Sequence, residues 1–133
     1  MDRLAELKKR FLEEPLAKAA GISLGELGDG RAILTQAVRD DQLIVGGAVQ
    51  GGVTTVLADY AGVYAAMTRI PQGHTPAHNI SITFLRPILA GELMLAEADV
   101  SGETRGSVTV SVQVFGNGKL KAVASILFAK PKS

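Results

Sequence analysis

Residues 50–69 read QGGVTTVLADYAGVYAAMTR, and this stretch decides the fold. Two glycines open it, and mostly small or apolar side chains follow without a break. On a wheel of 100° per residue, Gly52, Thr55, Val56, Gly62, Val63 and Ala66 share the side of Asp59. Val53, Leu57, Tyr60, Tyr64 and Met67 take up the rest of the circumference. A helix apolar on nearly all sides is expected to be buried, not laid on the surface. Asp59 is its only acid, and an ionised carboxylate there is costly unless something compensates. The acid has either a structural partner or a chemical task.

Outward from this helix, Arg69 marks its end, with Pro71 and Gly73 as breakers. Before it, Asp40-Asp41 and Gly46-Gly47 bracket a loop. Ile22–Leu27 and Arg31–Val38 read as two strands joined at Gly28-Asp29-Gly30, where glycine accepts the positive φ of a tight turn. At the start, Leu4, Leu7, Phe11 and Leu12 recur at helical spacing among Lys and Glu. A second helical turn after Pro15 is expected, with Gly21 ending it. The segment 1–20 is thus helical.

The other half reads as strands. Ala77–Leu85 alternates Ile80, Ile82 and Phe84 against Asn79, Ser81 and Thr83. Pro87 and Gly91 interrupt before Leu93–Val100. Arg105-Gly106 turns the chain into Val108–Phe115, with Val108, Val110, Val112 and Val114 on one side. Gly116-Asn117-Gly118 is a strong hairpin signal leading to Lys119–Phe128. Hairpin-linked strands with one apolar face make an antiparallel sheet wet on its other side. The class is α+β, a sheet of about six strands curled round one long central helix, in a single domain over 1–133.

Composition sets limits. With 47% hydrophobic and 20% charged residues in 133, the chain has material for one proper core. A net charge of +1 gives no case for nucleic acid or an anionic membrane surface. The absence of cysteine removes disulfides, thiolate nucleophiles and Cys-based metal sites. The first residues are charged throughout, unlike a secretory signal, and no run reaches the roughly 20 apolar residues that span a bilayer. A soluble, cytoplasmic protein is expected. His74 and His78 are four apart with Pro76 between them, and without a third ligand they are poor evidence for zinc. The tail 130–133 reads as a polar, solubilising end.

EEPLAKAAGISLGELGDGRAILTQAV, then QGGVTTVLADYAGVYAAM, then NISITFLRP together resemble the phenylacetate-pathway (PaaI-like) branch of the hot-dog thioesterases. The likeness runs from about Glu14 to Phe128, and the Gln50-to-Asp59 spacing and the FLRP at Phe84–Pro87 carry most of it. It implies a sheet wrapping a long helix, dimers paired into tetramers, and hydrolysis of acyl-coenzyme A thioesters, with no metal or prosthetic group. By the same resemblance, Asp59 stands where the family keeps its catalytic carboxylate. Gly51 stands where a backbone N–H holds the thioester carbonyl. Gln50 replaces the usual His, and Ile44 replaces a frequent Asn. Ala77, with Thr75 nearby, stands where relatives often carry Ser or Thr. Arg105-Gly106-Ser107 resembles the loop that meets the pantetheine or phosphates.

Thioester hydrolysis needs a base or nucleophile and something to hold the developing oxyanion. Amides in the first turn of a helix lack intrahelical partners and sit at its positive end. Gly51 and Gly52, without Cβ atoms, let a carbonyl come close, and Gln50 can add a neutral donor; a tight start to a buried helix is the plainer reading of the pair. Asp59 would activate water or attack the thioester carbon itself. The alternative is a buried Asp satisfied by Thr55 or by neighbouring backbone groups. Thr55, Gly62 and Ala66 beside it leave room for a narrow chain or simply allow close packing. Pocket length depends on how Tyr60, Tyr64, Met67 and Phe84 pack.

Gly51 and Asp59 are eight residues apart, roughly 12 Å along one helix, whereas reacting groups must be near contact. Gly51 of one subunit is therefore expected to work with Asp59 of another across a two-fold axis. Arg86, Arg105 and Lys119 are available cations for the nucleotide end of coenzyme A, or they only solvate turns. Two rivals stand beside hydrolysis. A hot-dog hydratase or dehydratase needs a base where Gln50 offers only an amide. A non-catalytic acyl-CoA binder would tolerate the replaced His, Asn and Ser/Thr.

Overall fold

The structure, a computed structural model, describes residues 2–71 and 77–131. The order is α1 (Arg3–Phe11), α2 (Pro15–Ala20), β1 (Ile22–Gly28), β2 (Arg31–Ala37), α3 (Gly51–Met67), β3 (Ala77–Phe84), β4 (Leu93–Glu103), β5 (Ser107–Gly116) and β6 (Lys119–Ala129). A short 3-10 turn at Asp40–Gln42 lies between β2 and α3. All six strands join one antiparallel sheet, in the order β1-β2-β4-β5-β6-β3, with α3 packed on its inner face. The expected α+β arrangement, a six-stranded sheet round one central helix, is the one found.

The turns fall where the sequence puts glycine. Gly30 at φ 72° closes β1–β2, and Asn117 and Gly118 at φ 47° and 83° close β5–β6. The Asp2 carboxylate caps α1 by accepting from the Ala5 amide at 2.8 Å, and Gly21, at φ 81°, ends α2. On β5 the four valines at 108, 110, 112 and 114 are all buried. They share one core with Leu57, Ala58, Ala61 and Ala65 of α3, which are fully buried at helical spacing.

Two glycines in its first turn cost α3 about 1 kcal/mol each. Burying Leu57, Tyr64 and Met67 returns about 1.5–3 kcal/mol apiece, so packing outweighs propensity.

Two expectations change. The burial of α3 is not all-round: residues 61–67 are buried on every side, but Gly51, Gly52, Val53, Thr55, Val56, Asp59 and Tyr60 keep partly open surfaces. None of the described residues covers that flank of the N-terminal half. Nor do the strands follow one another as hairpins throughout. β3 lies at the far edge against β6, with Ile80 opposite Ile126, while β4 sits between β2 and β5. Alternation fixes which face of a strand is inner, but it does not choose the neighbour. Residues 85–92 carry the chain from that edge back to the middle of the sheet.

Candidate active site

The start of α3 is built by Gln50. Its side-chain oxygen accepts the Gly52 amide at 2.6 Å, and its backbone oxygen accepts the Val53 amide at 2.9 Å. The glycine amides therefore differ: that of Gly52 is engaged, and that of Gly51 has no acceptor among the described residues. The expected side-chain donor at Gln50 is reduced to its Nε2, because the oxygen points inward as a cap. A Cβ on Gly51 would stand 3.1 Å from Cζ of Phe84, so the ring of Phe84 lies over this backbone. Gly51 opens into a cavity of about 340 Å³ whose other wall is Phe84, Leu85, Arg86, Pro87 and Ile88.

Asp59 lies two turns further along α3 and opens elsewhere. Its cavity, about 400 Å³, is shared with Glu14, Tyr60, Val63 and Ala77. Thr55 does not serve the acid: its hydroxyl donates to the Gly51 carbonyl at 2.8 Å. Oδ1 of Asp59 is buried without a hydrogen-bond partner among the described residues. Burial pushes the Asp59 carboxyl above its ordinary value, with no cation among the described residues to offset it. A buried carboxylate with no partner among the described residues adds nothing evident to the core, and groups perturbed in this way cluster at functional sites.

The cations divide between the two ends. Arg86 lies beside Gly51, its Nη1 donating to the Leu120 carbonyl at 3.1 Å. The turn with Arg105, Gly106 and Ser107 lies at the Ala77 end of the sheet, since Ser107 pairs with Ala129 and Ala77 with Phe128. There the Thr104 hydroxyl ties the turn to Ser107 at 2.8 Å and accepts from the Gly106 amide at 3.2 Å, leaving Arg105 exposed. Thr75 and His74 lie outside the described residues. His78 is exposed on β3, and Ile44 is half-exposed on the tip of the loop before α3. One chain thus brings Gly51 together with Arg86, and Asp59 with Ala77, but keeps the pairs apart.

Sequence reasoning gave no place at the site to Glu14, and it placed Phe84 only among residues whose packing bears on pocket length. Glu14 accepts a hydrogen bond of 2.7 Å from the hydroxyl of Tyr64, fifty positions away, and no local spacing could have announced that contact. Tyr64 is fully buried, and its burial, together with the Glu14 contact, raises the pKa of its hydroxyl. That Phe84 roofs the Gly51 backbone follows from the pairing of β3 with β6, which alternation alone does not give.

The thioesterase superfamily profile matches residues 46–122, which include both cavities' parts of α3 and the 85–92 crossing. A mutant of the phenylacetic acid degradation protein PaaI from Thermus thermophilus superposes with a TM-score of 0.84 at 30% identity, covering 89% of this chain and all of that one. The E. coli PaaI protein superposes at 0.87 with 25% identity, over 94% of this chain and 90% of its own. A Streptococcus mutans UA159 protein solved bound to acetyl CoA shares the fold, with a TM-score of 0.76, 21% identity and coverage of 84% and 90%. The wrapped-helix arrangement is therefore the hot-dog fold.

Proposed function

We propose, from the premise that the chain belongs to the thioesterase superfamily, that it hydrolyses acyl-coenzyme A thioesters to the free acid and coenzyme A. The observation that carries this reading is Asp59, a carboxylate that lines a cavity and has a buried oxygen with no hydrogen-bond partner among the described residues. As a base it takes a proton from water while the water oxygen bonds to the thioester carbon. The oxyanion then accepts from the Gly51 amide, and its collapse expels the coenzyme A thiolate, which takes up the proton. As a nucleophile Asp59 bonds to that carbon itself while the C–S bond breaks and the coenzyme A thiolate leaves. Water then cleaves the resulting anhydride: its hydroxyl joins the acyl carbon, its proton goes to the thiolate, and the Asp59 carboxylate is restored. Either route needs the same two groups on one carbonyl.

Those groups are roughly 12 Å apart in one chain and open into different cavities, so the working site pairs Gly51 of one subunit with Asp59 of its partner. Two features support a two-fold assembly: the uncovered flank of α3, and the edge position of β3 in the sheet. The reading takes a homodimer as the minimal unit, paired into a tetramer, in the cytoplasm. Arg86 and the 105–107 turn reach the nucleotide end of the substrate, while Gly52, Thr55 and Ala77 border the acyl chain. Coenzyme A is part of the substrate, and no cofactor is invoked.

The test is thiol release, followed spectrophotometrically on a panel of acyl-CoAs, for wild type, Asp59→Asn and Asp59→Ala. Loss of a positioned base removes about 10²–10⁴ of the rate. Release that survives both substitutions at the wild-type rate would sink the mechanism. One observation favours a second reading, a binder without turnover: Gln50 occupies the Gly52 amide and leaves a single backbone donor for the oxyanion. Tight acyl-CoA binding without release would select it.

A further inference from the structure

Lys121 sits at the bulge where β6 gains a residue over β5, with only 8% of its surface exposed, although lysine almost never occupies such a place without a reason. Its Nζ donates to the Pro87 carbonyl at 3.0 Å and lies 3.5 Å from Oε1 of Glu92. Its backbone oxygen accepts the amides of Leu85 and Arg86, at 2.7 and 3.1 Å. Glu92 in turn accepts the Leu89 amide at 3.2 Å. One lysine and its counter-ion thus hold residues 85, 86, 87 and 89 of the crossing between β3 and β4.

The other margin of this crossing meets the start of α3. The Val49 amide donates to the Ile88 carbonyl at 2.8 Å, and Ala48 forms a bridge with Leu89. Gly51 follows two residues later, facing Leu85–Ile88 across their common cavity. The pair has no slack on its remaining side. A Cβ on Gly116 would collide with Oε1 of Glu92 and stand 3.1 Å from Cε of Lys121.

We infer that Lys121, with Glu92, is the positioning residue of the carbonyl-binding half of the site, holding the crossing so that the Gly51 amide and the Phe84 ring keep their register. It touches no reacting atom and acts through Pro87, Ile88 and Val49. The inference rests on the hydrolase reading. Apolar residues would fill this volume at equal or better stability, because a buried ion pair gives little net stabilisation after desolvation. What they lack is a directed tether to the Pro87 carbonyl. Positioning errors of about 1 Å cost on the order of a hundredfold in rate.

The experiment uses the full chain with Lys121→Met and Glu92→Gln combined, so that no unpaired buried charge threatens folding and the Leu89 amide keeps an acceptor. Three quantities are compared with wild type: the melting temperature, kcat on acyl-CoA well below that temperature, and hydrogen exchange at the Val49, Leu85 and Arg86 amides. The expected result is a melting temperature within a few degrees, kcat lower by tenfold or more, and faster exchange at those three amides. A kcat within twofold of wild type, or unchanged exchange at Val49, overturns the inference while leaving hydrolysis standing. Wild-type protein that releases no thiol from any acyl-CoA overturns the hydrolase reading, and Lys121's role in it falls too.

Discussion

The side-chain oxygen of Gln50 lies 2.6 Å from the amide nitrogen of Gly52, and that contact leaves Gly51 as the open glycine amide at the start of α3. The residue at the usual His position therefore acts first as a helix cap. Gln50→Ala should lower stability by about 1 kcal/mol, the usual cost of losing a cap. Thiol release should fall less than tenfold, because the Gly51 amide is untouched. Urea denaturation and steady-state kinetics on the same preparation check both; a loss of rate matching that of Asp59→Asn would make Gln50 part of the reaction.

Burial raises the pKa of Asp59, and that fixes the sign of two pH effects. A raised carboxyl keeps a proton in the folded chain that the unfolded chain has already released. Stability therefore falls as pH rises from the ordinary carboxylate value through the raised one, and the penalty is fully present above it. Asp59→Asn should match wild type at acid pH below this window and be more stable than wild type at neutral pH. Wild-type thiol release should instead climb with pH through the raised value, as the carboxylate forms. Denaturation midpoints and a pH–rate profile test the pair, and a less stable Asp59→Asn at neutral pH would contradict the burial account.

Arg105 is exposed on the β4–β5 turn, and the proposed function sets its charge at the nucleotide end of the substrate. Arg105→Ala should raise KM for an acyl-CoA about three- to tenfold, as loss of one charge-assisted contact does, with kcat unchanged. The same substitution should leave an N-acetylcysteamine thioester, which lacks the nucleotide, unaffected. Equal losses on both substrates would assign Arg105 to the fold instead.

The elements are legible in the sequence because each boundary carries a residue with a local reason. Gly21, Gly30, Asn117 and Gly118 take φ values that most side chains avoid, so the turns announce themselves. Asp59 stands out because an acid on an apolar helix is expensive wherever it sits. What escapes is everything that depends on distant partners. Gln50 looks like a donor because its amide can be one, and only the start of α3 shows its oxygen turned inward. Lys121 gives no signal among the residues of its strand, since Glu92 lies 29 positions earlier and its burial follows from the crossing. Hairpin order would seat β3 beside β4, and its place beside β6 is a property of the whole sheet.

The most direct test is complementation between two inactive chains. Asp59→Asn keeps its Gly51 amide, and Gly51→Val, whose side chain is forced toward Phe84, keeps its Asp59. Each alone should release little thiol. Unfolded together at equal amounts and refolded, half of the dimers should be mixed, each with one intact site of two, restoring about a quarter of wild-type activity. A refolded mixture no more active than its two components, while wild type recovers fully from the same treatment, would contradict a site shared between subunits.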